Sequence, residues 1–170
     1  MRHYFLILLL HAGIYTCFSQ TCIEHTYTSQ VGVRELTNHN DGPQVEIYLK
    51  TCGLGKGYAW CAAFVKWCYI QCGIPTKSIT AWAATCINWN HLVYSGGKFV
   101  SEPHAGDNIT FWDYYNKRVC HTGLYHRRVN DIFFESVEGN TNEGGSSEGD
   151  GVYRKKRSFK ATYIISRWIN

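Results

Sequence analysis

The stretch Gly57-Tyr58-Ala59-Trp60-Cys61-Ala62-Ala63-Phe64-Val65-Lys66-Trp67-Cys68 decides how the rest of the chain is read. Apolar residues at Cys61, Phe64, Val65, Cys68 and Cys72 follow a helical i, i+3, i+4, i+7, i+11 stripe. Gly55 and Gly57 break the chain just before it, which places Cys61 in the first turn of the helix. A thiol there faces the positive end of the helix dipole and unpaired backbone N–H groups, and both favour the nucleophilic thiolate. The same amides can hold an oxyanion during attack on an amide carbonyl. The plainer alternative is a small buried hydrophobe in a cysteine-rich chain.

The first 19 residues bear on that choice. Arg2 and His3 precede an apolar run from Tyr4 to Leu10, and Cys17 and Ser19 supply small residues for cleavage after Ser19. The run is too short to span a bilayer as a helix and has the layout of a secretory signal peptide, so the chain is expected to be secreted or periplasmic. A lipoprotein signal ending at Cys17 is the weaker rival, because Ile14-Tyr15-Thr16 lacks the small residues expected before a lipidated cysteine.

Export removes Cys17 and leaves Cys22, Cys52, Cys61, Cys68, Cys72, Cys86 and Cys120. An odd number in an oxidising compartment implies a leftover thiol. If that thiol is Cys61, the remaining six allow up to three disulfides, with a Cys68–Cys72 bridge within one helix disfavoured. No paired-cysteine or HExxH spacing supports zinc at Cys68, Cys72, Cys120 and His121. The net charge of +4 comes with no basic groove interleaved with aromatics, so a nucleic-acid partner is not expected. Arg154-Lys155-Lys156-Arg157 reads as a solvated strand edge, or as a contact for an acidic wall polymer.

The pattern changes midway. Residues 20–33 read as a polar lead-in to a domain covering 34–170. Asn40-Asp41-Gly42-Pro43 predicts a capped helix start, with the helix at 44–51, then the Cys61 helix to about Cys72, then a third helix over 81–91, and Ser95-Gly96-Gly97 ends the helical half. Beyond Pro103-His104-Ala105-Gly106-Asp107 the spacing predicts strands over 108–112, 119–127, 132–138, 152–157 and 163–168, with a hairpin tip at 114–117 and a mobile glycine-rich loop over 140–151. Helices followed by an antiparallel sheet make an α+β layout.

A cysteine nucleophile needs a base and a group that orients it. Among the histidines, His121 begins a strand where it can face a groove, and alternation puts His126 on the opposite sheet face. In Phe134-Glu135-Ser136-Val137-Glu138-Gly139-Asn140, the same alternation makes Glu138 and Asn140 a polar pair on one face, suited to accepting the imidazole N–H. Tyr58, Trp60, Trp82 and Trp112 are aromatic candidates for lining a substrate groove, with core packing as their alternative.

Taken in order, Gly57 to Val65, Pro103 with Gly106-Asp107, His121-Thr122-Gly123, Val137-Glu138-Gly139-Asn140-Thr141 and Gly149-Asp150-Gly151-Val152 resemble the CHAP family, the cysteine- and histidine-dependent amidohydrolases/peptidases of bacterial cell walls. The likeness runs over about residues 34–168. It implies a papain-like fold with the cysteine helix packed on an antiparallel sheet. It also implies Cys61 as nucleophile, His121 as base, and Glu138 and Asn140 as the acidic and amide positions that orient the histidine and polarise the site. The implied activity is a peptidoglycan amidase (N-acetylmuramoyl-L-alanine amidase) or endopeptidase, monomeric, with no cofactor. Some members use calcium, but no Asp-rich loop of EF-hand spacing is present, and no metal is expected. The alternatives are an inactive wall-binding module of the same fold, a disulfide-stapled structural domain with Cys61 oxidised, and a related hydrolase acting on a non-wall amide. Two features depart from the family pattern: the abundance of cysteine beside a reactive thiol, and the lack of a separate wall-binding domain.

Overall fold

The Cys61 helix packs on one face of an antiparallel sheet, in a computed structural model that describes residues 20–144 and 149–169. Three helices come first: α1 over residues 20–29, α2 (Pro43–Lys50) and α3 (Cys61–Gln71). Seven strands follow: β1 (Leu92–Ser95), β2 (Lys98–Phe99), β3 (Asn108–Asp113), β4 (Arg118–Arg128), β5 (Phe133–Thr141), β6 (Gly151–Ser158) and β7 (Ile164–Ser166). Their order in the sheet is β2-β1-β7-β3-β4-β5-β6, and every pairing is antiparallel. The α+β class is as expected. The signal-peptide segment and residues 145–148 of the glycine-rich loop lie outside the described residues. Among the described residues no helix is long and apolar enough to cross a membrane.

Both faces of the central strands are covered. Leu124 and Val137 pack with Phe64, Val65, Cys68 and Tyr69 of α3 in one cluster, whereas Tyr125 and Phe134 pack with Ile109, Phe159 and Ile165 in a second. Covered on both sides, β4 and β5 lose the polar alternation of a half-exposed strand: His121 to Tyr125 and Ser136 to Thr141 are buried without a break. Helix α3 is enclosed in the same way. Cys61 to Val65 are all buried, so the expected stripe is only part of the packing of the first turn, where Cys61 keeps a small exposed edge on a groove.

Three local expectations are corrected. The polar lead-in is a helix that belongs to the core, with Ile23 and Tyr27 fully buried and Cys22 disulfide-bonded to Cys72 at the end of α3. The helix over 81–91 shrinks to a single 3-10 turn, Ala83–Cys86. Side chains there compete for the backbone: the Thr85 hydroxyl accepts from Thr80 N and donates to Trp82 O, and Asn88 Nδ2 donates to Arg167 O. Gly96 and Gly97, both with positive φ, turn the β1–β2 hairpin. At the start of α2, Gly42 is the capping residue, and Asp41 instead accepts hydrogen bonds from the backbone and hydroxyl of Thr37.

The cysteines also resolve differently. Cys22–Cys72 is the disulfide among the described residues, and Cys52, Cys61, Cys68, Cys86 and Cys120 are free thiols. Parity therefore does not single out Cys61; its position does. The bridge spans 50 residues of sequence and ties α1 to α3. Closing a loop of that length in the unfolded chain contributes a few kcal/mol. The Cys22→Ser/Cys72→Ser double variant is expected to lose about 2–4 kcal/mol in urea unfolding. An unchanged midpoint would mean that α1 is held by packing alone.

Candidate active site

Cys61 is the first residue of α3, following Trp60 as the capping residue. The amides of the first turn have no intrahelical acceptor, so they are open to a ligand beside the thiol. Two glycines let the sheet approach this point. A Cβ on Gly139 would stand 2.6 Å from the Trp60 ring and 2.8 Å from Phe64, so only glycine admits α3 this close to β5. On β4, a Cβ on Gly123 would lie 2.5 Å from the Glu138 side chain, so glycine leaves room for that carboxylate.

Glu138 is fully buried and fully engaged. Its Oε2 lies 2.9 Å from His121 Nε2; Arg157 Nε donates to Oε1 at 2.8 Å and Arg157 Nη2 donates to Oε2, while the Ser136 hydroxyl donates to Oε1. Burial works to raise the Glu138 pKa, but the hydrogen bonds from Arg157 and His121 outweigh it and hold the carboxyl down at about 2. Burial likewise disfavours a charged His121, and the Cys61 thiol and the Glu138 carboxylate overcome it, raising the imidazole to about 9. With Nε2 held by Glu138, His121 Nδ1 is left buried with no hydrogen-bond partner among the described residues. The Cys61 thiol is close enough to shift the His121 equilibrium, although no hydrogen bond of good geometry joins the two. The imidazole also stacks on Phe111, with ring centroids 5.9 Å apart, and Phe111 carries the Arg157 guanidinium 4.9 Å from its ring centroid.

Cys61, His121 and Glu138 thus come together. His126 lies on the other face, where its Nδ1 is 3.0 Å from the Tyr27 hydroxyl. Asn140 departs from expectation. It adopts φ 54, which breaks the strand alternation and turns its side chain away from Glu138. With the amide oriented so that donors meet acceptors, its nitrogen donates to Asn40 Oδ1 (3.2 Å) and Gly149 O (3.0 Å), and its oxygen accepts from Trp60 N at 3.2 Å. Asn140 therefore fixes the residue before Cys61 rather than the histidine.

The aromatic candidates divide. Tyr58 and Trp82 line an open groove of about 470 Å³ together with Cys61. Trp60 has no exposed surface: its indole N–H donates to Glu35 Oε1 at 2.8 Å and its ring stacks on Tyr48. Trp112 pairs with Tyr163 and lines a different groove, beside Tyr94 and Lys160. A larger cavity, about 670 Å³, is lined by Asn140 and Asp150 but not by Cys61. It offers no nucleophile, so the smaller groove is the chemically relevant one.

Sequence reasoning did not place Arg157 or Ser136 in the site. Arg157 was part of the basic run read as a solvated edge, yet the run is divided among partners: Arg154 pairs with Glu135, Lys155 donates to Asn142 O and Glu143 O, Lys156 lies over Phe133 and Arg157 holds Glu138. Strand alternation along 153–157 was the available signal, because it sets Arg157 apart from Arg154 and Lys156.

No family model matches this chain, and a search of curated proteins finds no significant match. The site must be judged on its chemistry.

Removing Arg157 alone strands a buried carboxylate. Arg157→Met is expected to cost about 3–5 kcal/mol, with much of it recovered in Arg157→Met/Glu138→Gln, as read by denaturant unfolding. The two shifted groups also set a pH window. A raised His121 stabilises the fold fully below its ordinary 6.5, and this contribution is lost as pH rises through about 9. A lowered Glu138 stabilises fully above 4.5, and this contribution is lost as pH falls toward about 2. Thermal melts should therefore give a Tm plateau between these limits, with the alkaline decline much reduced in His121→Asn. An undiminished decline in that variant would assign it to other groups.

Proposed function

We propose that the chain is a CHAP-like, papain-like cysteine hydrolase that cleaves an amide bond of bacterial peptidoglycan, as an amidase or an endopeptidase. The observation that carries the reading is the free, buried Nδ1 of His121 beside Cys61, with Nε2 fixed by Glu138. It gives the imidazole one fixed nitrogen and one available for proton transfer, which is what a base paired with a nucleophile requires. The order of motifs along the chain supplies the substrate class.

In this mechanism the Cys61 proton already resides on His121 Nδ1 as a thiolate–imidazolium pair, in keeping with the raised imidazole, and Sγ attacks the carbonyl carbon. First-turn amides of α3 receive the developing oxyanion. His121 then gives the proton to the leaving nitrogen as the C–N bond breaks, leaving a thioester on Cys61. Water attacks the thioester, His121 accepts its proton and keeps it as the thiolate departs, which restores the ion pair, and the acid product leaves. Glu138 stays ionised throughout and balances the imidazolium, while Arg157 and Ser136 hold the carboxylate in place.

Digestion of purified peptidoglycan, with products identified by mass spectrometry, tests this reading. The native protein is expected to release new amino termini or lactyl-peptides, and Cys61→Ala or His121→Ala to lower the rate by at least about 10³-fold. Intact muropeptides from all three, with equal pelleting on the wall, would replace the enzyme with a binding module. Iodoacetamide at pH 7 should label Cys61 before Cys68 and Cys86, whose thiols are fully buried and pushed up by that burial. Failure to label Cys61 would overturn the assignment of a reactive thiol.

A further inference from the structure

The groove that holds Cys61 contains one formal charge. The exposed aromatics Tyr58 and Trp82 line it together with small and apolar side chains, and Arg118 is the charged residue of the lining, which holds no carboxylate. Arg118 opens β4 and lies directly across the strand pair from Asp113. Hydrogen bonds from Asn116, and with them the Arg118 charge, help to keep the Asp113 carboxyl ionised, but no hydrogen bond joins the Arg118 and Asp113 side chains. Asp113 Oδ1 accepts from Tyr115 N and Asn116 N and its Oδ2 from Asn116 Nδ2, so both oxygens serve the hairpin tip.

The other described arginines are all engaged. Arg127, Arg128, Arg154, Arg157 and Arg167 pair with carboxylates, and Arg34 lies over Tyr153. Arg118 makes no ion pair or side-chain hydrogen bond among the described residues. A solvated arginine is ordinary on a surface. One that lines a groove with a nucleophile, and whose cross-strand carboxylate Asp113 gives both oxygens to the hairpin tip, keeps its guanidinium donors available to a negatively charged ligand. The planar guanidinium fork fits a carboxylate by two parallel hydrogen bonds.

We infer that Arg118 anchors a substrate carboxylate next to the scissile amide, so that the groove selects peptides with a free acid at that position. This rests on the hydrolase reading above. Peptidoglycan stem peptides offer two such groups, the free carboxylate of an isoglutamyl residue and the terminal carboxylate of the peptide, and either can be masked as an amide.

The test compares four muropeptides: isoglutamyl acid or amide, each with a free or amidated carboxyl terminus. Native protein and Arg118→Gln are assayed on all four, and the same peptides are titrated into Cys61→Ala and into Cys61→Ala/Arg118→Gln. Amidation of one of the two groups is expected to lower kcat/KM by about 10- to 100-fold, the scale of one charge-assisted pair. Arg118→Gln should lose the same factor on the acid and nothing on the amide, and the sensitive position identifies the anchored carboxylate. Cleavage that depends on Cys61 but ignores both amidations, or that Arg118→Gln weakens equally on every peptide, overturns the anchor and leaves the hydrolase intact. Absence of cleavage with Arg118-dependent preference for the acid in the Cys61→Ala titration overturns the hydrolase and keeps the anchor. Absence of both overturns both.

Discussion

A carboxylate with no exposed surface is the constraint on which the site depends. Burying a charge is expensive unless it is neutralised and its oxygens are hydrogen-bonded, and Glu138 meets both conditions by drawing on three strands. His121 comes from β4, Ser136 from β5 and Arg157 from β6. The pairing of those strands is therefore part of the site's chemistry, because a shift of one residue would turn the partners to the opposite face. One ion pair thus links the edge of the sheet to the imidazole beside the nucleophile.

The second constraint is the close approach of α3. Gly139 removes the side chain that would collide with Trp60 and Phe64, and Asn140 then leaves the strand conformation to accept from Trp60 N. These two adjacent residues set the height and rotation of the helix at its first turn, which is where Cys61 sits. The disulfide holds the other end of α3 against α1, so the helix is fixed at both termini. Rigid support of this kind keeps a thiol and an imidazole in register without a direct hydrogen bond between them.

Local patterns in the chain were most legible where a short-range signal decides the structure. The run around Cys61 places the start of α3, β-rich runs between turn signals assign β3 to β7, and the alternation of side chains separates His121 from His126. The reading of 81–91 failed because alanine and tryptophan suggested a helix, whereas Thr85 and Asn88 spend their hydrogen-bonding capacity on turns and on the end of the sheet. The reading of 20–33 failed because two buried residues one helical turn apart, Ile23 and Tyr27, are too few to make a period stand out among polar neighbours.

The sequence by itself determined the α+β order, the position of Cys61 at a helix start, and the shared strand context of His121 and Glu138, because each follows from turn chemistry or from a period of two or 3.6 residues. Tertiary structure decided the partner of Glu138, the separate task of Asn140, the burial of Trp60, the displacement of Trp112 and the pairing of Cys22 with Cys72. Those depend on which distant segments meet and on a single left-handed residue that reverses the alternation after Gly139. Neither composition nor spacing encodes a contact between strands, and the charge on Arg118 acquires meaning only once the groove around Cys61 exists.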